Sequence, residues 1–205
     1  MKYRKILLGQ VENLPYFDKK ALYQLSEQYA IKPGTLDAYI RQSLTHRDLI
    51  QLKKGMYVTN EYFQKNKGDA SYAFYLANVL CQPSYVSSWA ALQYYNLATE
   101  AVYTITSVTP KITRTYNNKT GNFAYHSIKK ELFSDFSLIQ GSFDFFIASP
   151  AKALFDLIYF KTNQFKGLHI SDLEPLIEED LRIDIDEMDP KEKEHFYNLI
   201  KKYLK

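Results

Sequence analysis

Arg41, Gln42 and Thr45 are the side chains of this 205-residue sequence whose types and spacing best fit a recognition chemistry. Arginine presents a fork of N–H donors, and glutamine a donor beside an acceptor. Those two groupings match purine edges in the major groove of DNA. Ala38 is small enough to let a base edge approach. On a wheel of 100° per residue, Leu36, Ile40 and Leu44 fall within about 80° of each other and form a core-facing stripe. Ala38, Arg41, Gln42 and Thr45 lie on the opposite side. Lys32, Thr35, Arg47, Lys53 and Lys54 flank this segment and supply the cations and hydroxyl that suit phosphate oxygens.

Other chemistries find less support. The four histidines, His46, His126, His169 and His195, show no i, i+3 or i, i+4 spacing, so a helical metal site is not expected. The run Asp184-Ile185-Asp186-Glu187-Met188-Asp189 lacks the glycine and the side-chain oxygen that a calcium loop needs at its sixth and fifth positions. Gly141-Ser142 could open a nucleotidyltransferase site, but the paired acids for magnesium do not follow. Asp144 and Lys152 could be parts of a nuclease site, yet no glutamate stands two residues before Lys152. No phosphate-binding glycine loop is present. The expectation is a protein without catalysis, cofactor or metal.

The elements that must position the recognition residues can be read from the pattern. Residues 3–13 predict a helix with Ile6, Leu7 and Val11 on one side, ended by Pro15. Asp18 is a candidate N-cap for a second helix, whose Ala21, Leu22, Leu25 and Tyr29 have helical spacing. Pro33-Gly34 marks a turn, and Thr35 is the candidate N-cap of a third helix running to about Arg47. Leu49–Leu52 and Met56–Thr59 read as strands across a tight turn, Lys53-Lys54-Gly55. Three helices and a hairpin make the winged helix-turn-helix pattern, which sets its third helix in the major groove and its wing near the backbone. A small α+β domain without nucleic acid, or one whose winged helix binds protein, is the alternative.

Residues 60–69 are polar and predict a boundary. Asp69 is a candidate cap for a helix through Leu80, and Ser87 for a short helix to Tyr95. Tyr103–Val108 reads as a strand, 112–116 and 122–127 as a hairpin, and Ser142–Ile147 as a further strand. Ser149-Pro150 opens a helix carrying Leu154, Phe155 and Ile158. A last helix spans about 191–204. The expected fold class is α+β: an N-terminal winged helix-turn-helix over 1–66, then a mixed α/β domain over 67–205 with an acidic helical tail.

Charge divides along the chain. Residues 1–67 carry a net +6, residues 68–170 a net +2, and residues 171–205 a net −5. A basic head with an acidic tail points to a polyanionic partner at the N-terminal end. The 18 Tyr and 13 Phe can hold small cores, because each aromatic side chain buries a large area. The single cysteine, Cys81, allows no internal disulfide and suits a reducing compartment. The N-terminal apolar run stops after three residues, and no stretch approaches the roughly 20 apolar residues of a membrane span. The expectation is a cytoplasmic protein.

Four segments resemble the AbiEi family, the antitoxins of type IV toxin–antitoxin systems linked to phage defence by abortive infection. They are Leu49–Val58 (LIQLKKGMYV), Tyr85–Leu97 (YVSSWAALQYYNL), Val102–Thr109 (VYTITSVT) and Ile147–Leu157 (IASPAKALFDL). The likeness in order and spacing covers roughly residues 17–160. Ala151 departs from it, since many relatives carry an acidic residue there. The resemblance implies a transcriptional autorepressor that binds double-stranded DNA at its own promoter, at inverted repeats. It implies a second domain that opposes a nucleotidyltransferase-like toxin of the AbiEii type without needing a stable complex. A defence nuclease is the remaining alternative.

Overall fold

The computed structural model describes residues 2–98 and 102–204. The chain is a mixed α+β protein and clusters into two units. One comprises residues 1–72 with 116–121, the other residues 73–115 with 122–205. No described helix is long and apolar enough to cross a membrane.

The first unit opens with α1 (Lys2–Val11), β1 (Phe17–Asp18), α2 (Lys19–Gln28) and α3 (Pro33–Thr45). β2 (Leu49–Lys53), β3 (Met56–Thr59) and α4 (Asn60–Asn66) follow. The strands form a sheet in the order β1-β3-β2, antiparallel throughout. Its core joins Leu7 and Val11 of α1, Leu22 of α2, Leu36 and Ile40 of α3, and Phe17, Leu49 and Tyr57 of the sheet. Each such side chain contributes about 1.5–3 kcal/mol on leaving water. Leu44 packs against this cluster from its rim, so the apolar stripe of α3 faces inward as its spacing predicts. Asp18 caps α2, accepting from the Ala21 N–H at 2.7 Å.

Three local features differ from expectation. Helix α3 begins at Pro33, with Lys32 as a cap residue that makes no side-chain bond. Thr35 therefore lies within the first turn rather than at the cap. Proline's fixed φ suits the first helical position, so Pro33 starts the helix instead of delaying it. The β2–β3 turn is only Lys54-Gly55, because β2 continues through Lys53, which pairs with Met56. Gly55 takes φ +77°, a left-handed conformation that glycine adopts without steric cost. The polar stretch after β3 forms α4 instead of a loop, because Thr59 caps it by accepting from the Tyr62 N–H at 3.2 Å.

The second unit carries a six-stranded mixed sheet in the order β6-β7-β5-β4-β9-β8. Its strands are β4 (Tyr85–Val86), β5 (Thr104–Thr109), β6 (Arg114–Asn118), β7 (Gly121–Ser127), β8 (Phe136–Ile139) and β9 (Phe145–Ala148). β4 and β8 are additions to the expected set: the first is two residues long, and the second alternates no clear apolar face. β5 runs parallel to β7, and β4 parallel to β9. The helices are α5 (Ala70–Leu80), α6 (Ser88–Tyr94), α7 (Pro150–Lys161), a short α8 (Leu173–Pro175) and α9 (Pro190–Tyr203). α7 packs against α6 and α9, and every residue from Ala151 to Tyr159 is buried. A helix enclosed on all sides is a core helix, which accounts for its run of apolar residues. Ser149 caps it, accepting from the Lys152 N–H at 3.3 Å.

Candidate nucleic-acid interface

The residues expected to read bases lie on the outward side of α3. Arg41, Gln42 and Thr45 are exposed and Ala38 is half-buried. Thr45 spends its hydroxyl hydrogen on the Arg41 carbonyl at 3.1 Å, which leaves its oxygen lone pairs turned outward. The inward side is held by Leu36, Ile40 and a residue that periodicity does not single out, Ser43, whose oxygen accepts from Arg4 at 3.4 Å. Arg4 also pairs with Asp48 at 2.5 Å. This links α1 to the end of α3 and fixes the axis on which Arg41 and Gln42 are carried.

The expected phosphate-binding residues fall into three groups. Lys32 and Thr35 are exposed at the start of α3. Arg47 sits past its other end, about 20 Å away at 1.5 Å per residue. Arg47 adopts φ +61° and lines a cavity of about 330 Å³ together with Arg4, Lys5, Glu12, Asp48 and Glu61. That lining carries three cations, Arg4, Lys5 and Arg47, and three carboxylates, Glu12, Asp48 and Glu61, so the charge around Arg47 is balanced. At the hairpin, Lys54 is exposed in the turn, whereas Lys53 is half-buried at the end of β2.

Two further cations, which the sequence pattern does not assign to the interface, belong with the turn. The Lys19 N–H donates to the Gly55 carbonyl at 2.8 Å, so the start of α2 is tied to the hairpin turn. Lys20, exposed, and Lys19 thus join Lys53 and Lys54 in one stretch of surface. The signal is present in the Lys19-Lys20 doublet behind the capping Asp18, but its proximity to residue 55 needs the β1–β3 pairing. Lys19 is 2.8 Å from Asp37 and lies over the Tyr23 ring at 5.2 Å. The hydrogen bond to Asp37 holds the Lys19 ammonium above its ordinary pKa, and the same bond holds the Asp37 carboxyl below its own. Both groups are therefore charged at neutral pH, and Asp37 offsets part of the positive field near the start of α3. Within the first unit, which includes residues 116–121, Asn118 Nδ2 donates to the Leu52 carbonyl at 2.8 Å.

A second polar cluster sits inside the second unit. Lys152 and Asp156, four residues apart on α7, form an ion pair while 1% and 0% exposed. Asp156 also accepts from Ser87 at 2.7 Å and from Tyr85 at 3.1 Å. Ser87 is expected from sequence to cap α6. It occupies the cap position, but its hydroxyl is committed to Asp156 and makes no capping bond. Burial pushes the Asp156 carboxyl up, opposed by the Lys152 ammonium and by the bonds from Ser87 and Tyr85. Burial beside Asp156 likewise pushes the Tyr85 hydroxyl up, so it stays a donor. The Lys152 ammonium is enclosed with its partner, and Asp144 is exposed on the surface, so the two do not form one site. Among the described residues, no three His, Cys, Asp or Glu side chains are placed to hold a metal.

Compared with known proteins, the chain matches no family model, and no curated protein matches its sequence.

Proposed function

We propose that the first unit is a winged helix-turn-helix that binds double-stranded DNA, with α3 as the recognition helix and the β2–β3 hairpin as the wing. The observation that carries this reading is the division of α3. Leu36 and Ile40 are buried in the core, while Arg41, Gln42 and Thr45 are exposed on the far side, and a lysine-bearing hairpin is tied to the start of α2. Arg41 and Gln42 read base edges. Lys32, Thr35, Lys20, Lys53 and Lys54 set the register through phosphates, which carry no sequence information. Arg47 contributes less, because carboxylates balance the cations that line its cavity.

The whole chain is then an AbiEi-type autorepressor and antitoxin, acting without catalysis or cofactor on its own promoter and against a nucleotidyltransferase-like toxin. Three of the four resembling segments supply β4, α6, β5, β9 and α7. Within them, Tyr85, Ser87, Lys152 and Asp156 make the buried polar cluster. The likeness therefore rests on residues that build the second unit from inside, which supports a shared fold rather than a chance run of apolar residues.

Repression of a reporter driven by the DNA upstream of this gene tests the reading. The full chain should repress, and an Arg41→Ala/Gln42→Ala variant of unchanged abundance should not. Equal reporter output with and without the protein would refute autorepression. Co-expression with the toxin tests the antitoxin role separately: survival should not change when Arg41 and Gln42 are replaced.

A further inference from the structure

The second unit holds a cavity of about 360 Å³ formed by α5, the 82–84 loop and the β8–β9 edge of the sheet. That volume lies in the range of small-ligand pockets, roughly 300–1,000 Å³. Four aromatic rings line it: Tyr75, Phe133, Phe136 and Phe146. They are braced against one another, with Phe133 and Phe136 centroids 5.1 Å apart and Phe136 and Phe146 edge to face at 5.8 Å. Asn78 fixes the last of them. Its Oδ1 accepts the Phe146 N–H at 2.6 Å, and its Nδ2 reaches the carbonyls of Phe146 and Ser84 at 3.5 and 3.4 Å.

The polar groups of this lining are one-sided. Asp144 is the acidic member, and among the described lining residues there is no lysine, arginine or histidine. Its Oδ1 accepts the Gly141 N–H at 3.1 Å, which orients the carboxylate and leaves its second oxygen available to a ligand. Ser84 lines the same cavity, and its hydroxyl oxygen is buried without a hydrogen-bond partner. Ring faces are negative and attract cations. A carboxylate beside four rings favours positive charge and disfavours anions, including nucleotides, for which the lining supplies no counter-charge. A guest with a cationic head gains a charge-assisted contact with Asp144 that a purely apolar guest does not.

We propose that this cavity binds a small organic cation: an ammonium or amidinium group on an apolar body, set against the rings with its charge toward Asp144. This assignment is independent of the DNA-binding reading and adds a ligand to the second unit.

The test uses the full chain and phenyltrimethylammonium, with tert-butylbenzene as its uncharged isostere and benzoate as an anion of similar size. Calorimetry, or saturation-transfer NMR for weak binding, measures each. The cation should bind saturably at millimolar concentration or better, tighter than the isostere, with benzoate not binding. Asp144→Asn keeps an acceptor for Gly141 and should weaken the cation about fivefold, the upper range for exposed ion pairs, while leaving tert-butylbenzene unchanged. Phe146→Ala should weaken both, and its unchanged thermal midpoint would show that the fold survives, since this ring is 42% exposed. No saturable cation binding, equal binding of cation and isostere, or an unaltered affinity in Asp144→Asn would each overturn the proposal.

Discussion

Helices α3 and α7 carry polar side chains at helical spacing and use them in opposite ways. On α3, Arg41, Gln42 and Thr45 are exposed and the apolar stripe is buried. On α7, Lys152 and Asp156 are buried together with the apolar residues around them. An i, i+4 Lys–Asp pair reads in sequence as a solvated pair of small worth. Here the same spacing yields an enclosed network with Tyr85 and Ser87. Polar spacing thus identifies a face, and the surrounding layers decide whether that face meets solvent or core. α3 packs on α2 and β2 and keeps one side exposed, whereas α7 lies between α6, α9 and β9.

The sharpest way to break this comparison is to cut the buried pair. Asp156→Ala leaves the Lys152 ammonium enclosed without a counter-charge and should cost about 3–5 kcal/mol of stability. A Lys152→Met/Asp156→Leu replacement combined with Tyr85→Phe and Ser87→Ala should restore much of it, because it removes both desolvated charges together with the two hydroxyls that would otherwise lose their acceptor. Denaturant midpoints at constant slope measure both; an Asp156→Ala variant as stable as the parent would mean the pair is not enclosed. On α3 the corresponding cut should leave folding nearly intact. Arg41→Ala and Gln42→Ala should each reduce discrimination between specific and random DNA by about 1–3 kcal/mol. Equal losses on both DNAs would demote these residues to phosphate binding.

Acid should act on the second unit through His126. This residue lies on β7 with its ring stacked on Phe160 at 4.9 Å, and burial lowers its pKa from the ordinary value of about 6.5. The unfolded chain therefore binds the proton more readily than the folded one. Stability is full above about 6.5 and falls as pH drops toward the folded-state value. His126→Phe keeps a ring on Phe160 and should remove that part of the acid sensitivity, measured as thermal midpoints between neutral and mildly acidic pH. An unchanged pH profile would place the sensitive group elsewhere. The smallest effect concerns the β2–β3 hairpin, proposed as the wing. Lys53→Ala/Lys54→Ala should weaken binding alike on all sequences. It should also flatten the slope of log affinity against log salt by about 0.9 for each phosphate that is no longer neutralised. Lys54, which is exposed in the turn, should account for more of this than half-buried Lys53.

Much of the first unit is legible in the sequence because its signals are local. The Asp18 cap, the Leu36/Ile40/Leu44 stripe and the glycine turn at residue 55 each act within a few residues. The start of α3 at Pro33 and the helix after Thr59 depart from expectation where a local signal admits two readings. Proline either breaks or opens a helix, and a polar run is either a loop or a capped, solvated helix. In the second unit, β4 is too short for a periodicity, and β8 pairs with β9 across a segment holding Gly141-Ser142 and Asp144, where the sequence reading starts a strand at Ser142. The Tyr85–Ser87–Asp156 cluster joins residues about seventy positions apart, so no spacing rule reaches it. The same holds for the meeting of Lys19-Lys20 with the hairpin turn.

The central claim is that α3 reads DNA sequence. It is tested most directly by the affinity of the full chain for the DNA upstream of its own gene, relative to a scrambled duplex of equal length at one fixed salt concentration. Fluorescence anisotropy on both duplexes gives the ratio. Specific recognition predicts a preference of about a thousandfold or more, since specific sites typically exceed non-specific ones by roughly 10³–10⁷. A ratio near one, with both affinities falling steeply in salt, would show that the basic surface binds phosphates alone and that Arg41 and Gln42 read nothing.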